Sequence, residues 1–147
     1  MEATKNKKST MQPEQECFPV SPLGARHAGQ WLSQKLGDGS RVRALRVALM
    51  ELIVNLVEHA EPVPAECSLT LQHEGAWVEL TLQVRHSSFP TVQAFQAAIC
   101  PPDDPLSLTG RGLFYAAQAC DVLEYSPADA QGWESYRLRQ ELADPKP

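Results

Sequence analysis

Two places in this chain hold residues whose types and spacing could do chemistry together. In Arg41–Ala60, RVRALRVALMELIVNLVEHA, Glu51 and Asn55 are four residues apart, so on a helix they point the same way one turn from each other. The chemistry open to such a pair is proton acceptance by the carboxylate and oxygen donation by the amide. A solvated helix face would also carry these residue types. Against that reading, Asn costs roughly 0.5 kcal/mol relative to Ala inside a helix, and Val47, Ala48 and Val54 flank the pair where charge would be expected. The second place is Gly110-Arg111-Gly112-Leu113 at a loop-to-helix junction. Glycine there lets the backbone approach a phosphate, and the first helical N–H groups are unpaired donors at the positive end of the helix dipole. Glycine at such a junction can equally serve turn geometry alone. The segment is neither a Rossmann fingerprint nor a P-loop, because a third glycine and a G-K-[ST] are both lacking.

The elements that must position these groups follow from periodicity. Val42, Leu45, Leu49, Leu52, Ile53, Leu56, Val57 and Ala60 recur at helical spacing and form one broad apolar face. This helix is capped by Asp38 or Ser40 and stops at Glu61-Pro62, since the residue before proline is pushed out of the helical region. An earlier helix opens at Ser21-Pro22 and runs to about Leu36, with Leu23, His27, Trp31 and Leu36 as its apolar stripe and Gly37–Gly39 as its end. After Pro62 the period falls to two. Cys67–Gln72 and Trp77–Val84 read as antiparallel strands joined by a hairpin at His73–Ala76, and Asp121–Tyr125 and Trp133–Leu138 read as a second pair. Between the pairs lie a short helix at Val92–Ile99, a proline-rich loop, and a helix from Gly110 to about Ala119. The order predicts an α+β fold: a two-layer sandwich with an antiparallel or mixed sheet and helices on one face.

Bulk properties narrow the function. The chain has 147 residues and a formal net charge of -5, so one domain is expected and a broad basic surface for nucleic acid is not. Residues 1–16 are polar, with Lys5, Lys7 and Lys8 clustered, and are expected to be a disordered tail; residues 17–141 form the domain and 142–147 a second tail. No apolar run approaches the ~20 residues that span a bilayer, and the amino terminus carries no apolar signal segment. A cytoplasmic protein with no membrane role is expected. Cys17, Cys67, Cys100 and Cys120 form no C-x-x-C pair, which predicts buried, reduced thiols, with Cys17 near the surface. The spacing of His27, His59 and His73 suggests no metal site.

Taken together, Glu51-Leu52-Ile53-Val54-Asn55-Leu56-Val57-Glu58-His59-Ala60, two strands, a long loop, Gly110-Arg111-Gly112-Leu113 and Asp121-Val122 resemble the GHKL, or histidine kinase-like, ATPase superfamily. Within it the likeness is to the small anti-sigma factor serine kinases of bacterial partner switching, over roughly Phe18–Leu138. The resemblance implies the Bergerat-type ATPase fold, ATP and Mg²⁺ as cofactors, and a role in transcription regulation. It implies that Asn55 ligates Mg²⁺ bridging the phosphates, that Glu51 is the general base for a partner's serine, and that Gly110, Arg111, Gly112 and Leu113 cradle the phosphates. Arg85–Thr109 would be the nucleotide lid. The implied partners are a sigma factor or other regulator, a serine-bearing anti-sigma antagonist, and a second copy in a homodimer. The sequence departs from the family pattern at three positions: His86 stands in place of the Asp that takes the adenine amino proton, Ser88 in place of the following Gly, and Leu56 in place of a small Ala. His86 could contact a base, close a strand as an ordinary histidine, or mark a catalytically degenerate adaptor that binds a regulator without nucleotide turnover.

Overall fold

Alternation of apolar and polar residues builds one sheet, and three-to-four-residue spacing builds the layer that covers it. The computed structural model describes residues 12–101 and 112–143. Strands β1 (Glu14–Pro19), β2 (Glu66–Glu74), β3 (Trp77–Arg85), β4 (Val122–Ser126) and β5 (Trp133–Glu141) form a five-stranded sheet in the order β1-β2-β3-β5-β4. Every neighbouring pair is antiparallel. Helices α1 (Pro22–Leu36), α2 (Ser40–His59), α3 (Val92–Ala98) and α4 (Gly112–Ala119) are the helices among the described residues.

The inward row is continuous across the register. Leu69 faces Leu82, Leu71 faces Leu80, and Leu80 and Leu82 in turn face Leu138 and Tyr136, all of them buried. Leu45, Leu49, Leu52, Ile53 and Leu56 of α2 belong to the same core. Fully burying a side chain of this size contributes about 1.5–3 kcal/mol. Opening a void at Leu49 by Leu→Ala would cost about 2–5 kcal/mol. Helix α2 lies between α1 and α4, so both of its flanks are set by neighbours and its polar line is presented in one direction.

Several details differ from the sequence reading. Strand β1 begins at Glu14, so Glu14–Glu16, expected in the tail, pair with Leu69–Leu71 of β2. Helix α1 buries Gly24, Ala25, Ala28, Gly29, Trp31 and Leu32, whereas Leu23 and His27 of the expected stripe are exposed. The reason is close packing by small residues. A Cβ on Gly24 would lie 1.9 Å from the Pro19 carbonyl oxygen, and one on Gly29 would lie 3.0 Å from Arg46 and Met50. Ser21 caps α1 as expected, accepting from Gly24 N–H at 2.9 Å. At α2 the N-cap position is held by Gly39, between the expected Asp38 and Ser40, and Ser40 is already the first helical residue. Cys17 and Cys100 are exposed and Cys67 and Cys120 buried, so the expected burial fails at Cys100. Burial pushes the Cys67 and Cys120 thiols up to about 11.

Candidate functional site

The polar line of α2 meets α4 at its first residue. A Cβ on Gly112 would lie 3.2 Å from Glu51 Oε1, so glycine is the residue that lets the start of α4 come this close to the carboxylate. Burial raises the Glu51 carboxyl above its usual range, and the negative charge of Glu58 adds to the effect. A carboxylate in that condition is a stronger base than one in water.

One turn further along α2, Asn55, Leu56, His59 and Ala60 form one wall of a cavity of about 350 Å³. His86, Ser88 and Phe89 form the facing wall, and Ala98 and Leu113 complete it. This volume falls at the lower end of small-ligand sites, which run from about 300 to 1,000 Å³. Leu56, Ala60, Phe89 and Leu113 offer apolar surface suited to a flat ring, while Asn55, His59, His86 and Ser88 supply polar groups at its edges. Asn55, His86 and Leu113, all singled out in the sequence, therefore share one cavity, and Glu51 and Gly112 stand together one turn away. Gly110 and Arg111 lie outside the described residues.

Below His86 is a group the sequence reading missed. Glu134 of β5 is fully buried, and its carboxylate accepts three hydrogen bonds. Ser88 N–H donates to Oε1 at 2.9 Å, Ser88 Oγ–H to Oε2 at 2.7 Å, and the Tyr125 hydroxyl to Oε1 at 2.6 Å. His86 Nδ1 lies 3.0 Å from Ser88 Oγ and 3.6 Å from Glu134 Oε2. Burial, reinforced by the charge of Glu134, pushes the phenols of Tyr125 and Tyr136 well above their usual range. The signal was present in the strand pattern: Glu134 has the same parity as Tyr136 and Leu138, so alternation already put it on the buried face.

The first part of the expected lid packs against the sheet. Phe89 N–H donates to the Tyr125 hydroxyl at 3.2 Å, Thr91 caps α3, and Phe95 is only 1% exposed. Phe95 stacks on Tyr125 with ring centroids 5.0 Å apart. These contacts pack the segment against the sheet through an aromatic cluster, and its residues His86, Ser88, Phe89 and Ala98 line the cavity. The remainder of the expected lid, 102–109, lies outside the described residues.

A second polar cluster sits at the other end of β5. Arg41 of α2 pairs with both oxygens of Asp121 at 2.7 and 2.5 Å and donates from Nε to the Glu141 carbonyl at 2.9 Å. Gln140, also fully buried, accepts from Asp121 N–H at 2.8 Å and donates to the Arg41 carbonyl at 3.0 Å. Burial alone would raise the Asp121 carboxyl, but hydrogen bonds from Glu141 N–H and Arg41, with the Arg41 charge, outweigh it and hold it low. No cavity residue belongs to this cluster.

Among the described residues, no group of three or more His, Cys, Asp and Glu side chains is arranged to hold a metal ion, and no helix is long and apolar enough to cross a membrane. Residues 22–133 match the family described as the histidine kinase-like ATPase domain. Among solved structures the fold is similar to a chain from the crystal structure of the SiaB–SiaC complex from Pseudomonas aeruginosa, with 14% identity, 93% of each chain covered and a TM-score of 0.58. No protein of curated function matches the sequence.

Proposed function

Because the chain belongs to the histidine kinase-like ATPase domain family, we propose that it binds Mg-ATP in the cavity between α2, the 86–89 segment and α4, and transfers the γ-phosphoryl group to a serine of a partner protein. The observation that carries this reading is convergence: Asn55 at the cavity wall, and one turn away Glu51 against the glycine that opens α4. The residues fit the ligand. Apolar walls suit the base, and the start of α4 supplies unpaired N–H donors for phosphate. Mg²⁺ is commonly held by one or two protein oxygens together with substrate phosphates, so one amide oxygen from Asn55 is a sufficient protein contribution. Bound there, the ion would neutralise charge developing on the phosphates.

Glu51 acts on the acceptor. Its carboxylate takes the proton of the serine hydroxyl as the serine oxygen bonds to the γ-phosphorus and the bond from that phosphorus to the bridging oxygen breaks, leaving ADP. The raised proton affinity of Glu51 suits that task. The wider role we infer is partner switching: the chain holds a sigma factor or similar regulator, as a homodimer, and a serine-bearing antagonist competes for it. The SiaB–SiaC neighbour is a protein complex in its own right and supports a partner-binding use of this fold.

A second reading, an adaptor without turnover, is motivated by His86, which stands where the family has an Asp. Labelling a cell extract with γ-labelled ATP separates the two. The kinase reading expects a serine-phosphorylated protein that appears with the wild-type chain and not with Glu51→Gln. Equal labelling with both chains would overturn the role of Glu51, and nucleotide binding without any labelled product would favour the adaptor.

A further inference from the structure

We propose that His86, Ser88 and Glu134 together select the base of the nucleotide, by fixing the His86 ring so that Nε2 is a hydrogen-bond acceptor for an exocyclic amine. The inference rests on the nucleotide-binding reading above and deepens it. It begins with Glu134, which is buried, has no Lys or Arg ion pair among the described residues, and is held by hydrogen-bond donors. A carboxylate in that position demands protons from its neighbours. Ser88 has one hydroxyl proton, and at 2.7 Å it goes to Glu134 Oε2. The Ser88 oxygen is then left with lone pairs only, so the 3.0 Å contact with His86 Nδ1 requires the proton to be on Nδ1. In the neutral ring this leaves Nε2 as the acceptor.

His86 lines the cavity, and its side chain is 15% exposed. A flat ring held between Leu56, Ala60, Phe89 and Leu113 would be bound by shape alone and with little discrimination. A single fixed acceptor at the wall adds a requirement: the ring must carry an N–H there. An aminopurine satisfies it, and a purine without the amine leaves the acceptor desolvated and unpaired. The buried carboxylate thus acts on the ligand at one remove. It sets the direction of the Ser88 hydroxyl, which sets the tautomer of His86. Glu134 and Ser88 are positioning residues, and His86 is the contact.

Two measurements on the full chain test this. The first is the binding of ATP against purine riboside triphosphate, which lacks only the amine, each displacing a fluorescent nucleotide. The wild type is expected to prefer ATP by about tenfold or more, and Glu134→Gln and His86→Phe to bring the ratio close to one. The second is ¹⁵N NMR of the imidazole, which reports the tautomer without ligand: Nδ1–H in the wild type, reverting to Nε2–H in Glu134→Gln, where an amide N–H donates to Ser88 Oγ and turns the hydroxyl proton toward Nδ1. Equal binding of the two nucleotides by the wild type, or an Nε2–H ring in the wild type, overturns the inference while leaving nucleotide binding intact. Failure of every nucleotide to bind at millimolar concentration removes the nucleotide reading and this inference with it.

Discussion

Strand β5 carries a buried polar residue at each end of its inward row, and the two ends are built differently. At one end Gln140 joins a cluster in which the Asp121 carboxylate meets a permanent cation, Arg41, through both oxygens. Each group there is spent on another: Arg41 on Asp121 and the Glu141 carbonyl, Gln140 on the Asp121 N–H and the Arg41 carbonyl. This is a clasp between α2 and the sheet. At the other end Glu134 has hydroxyls, one amide and an imidazole for neighbours, and that imidazole borders a cavity. A buried charge without a fixed cation is costly to maintain. Its position behind His86, at a ligand-sized cavity, fits the role proposed above, whereas the clasp ties α2 to the sheet.

The comparison can be broken by substitutions at either end. The largest effect is expected at the cavity end, where Glu51→Gln should lower phosphoryl transfer by about 10²–10⁴-fold, measured as single-turnover transfer, with nucleotide affinity unchanged. Asn55→Ala should weaken Mg-nucleotide binding by about tenfold or more and remove its dependence on Mg²⁺, read by titration with and without the ion. At the clasp the pattern reverses. Asp121→Ala should cost about 1 kcal/mol in denaturant unfolding, discounted because Asp121 and Arg41 are partly open to solvent, and leave nucleotide affinity alone. The Asp121 carboxyl is held below its unfolded value, so its contribution is present above the ordinary carboxylate range and is lost as pH falls through the folded value.

Glu51 gives the opposite sign. Its carboxyl is raised in the fold, so ionisation is penalised there, and Glu51→Gln should be more stable than the wild type at neutral pH. That advantage should disappear as pH falls below the ordinary carboxylate range, where both chains are uncharged at position 51. The smallest effect belongs to a third carboxylate, Glu124, on the outward face. It meets Arg137 at 3.0 Å with both side chains exposed, and Glu124→Ala should change stability by no more than about 0.2–1 kcal/mol.

The sequence made the frame legible because period and parity are local properties. The apolar face of α2, the hairpin at Gly75 and the pairing of β4 with β5 follow from spacing and turn residues alone. Helix α1 was misread because its buried face is made of Gly24, Ala25, Ala28 and Gly29, and small residues carry little apolar weight although they permit the closest approach. In the site, Glu51 and Asn55 stood out by their four-residue spacing, and His86 by departing from a family pattern. Glu134 did not, since a glutamate in a strand reads as surface until its parity with Tyr136 and Leu138 is counted. Its partner Ser88 is 46 residues away in the chain, a distance at which pairing is decided by the register of β3 and β5 and not by any local pattern.

The account stands on the cavity end of β5 being a nucleotide site. Isothermal titration of the full chain with Mg-ATP and Mg-ADP measures this directly, with Asn55→Ala as the comparison. The account predicts saturable one-to-one binding with a Kd on the order of micromolar, strongly weakened in Asn55→Ala. No heat of binding from either nucleotide at millimolar concentration would contradict it.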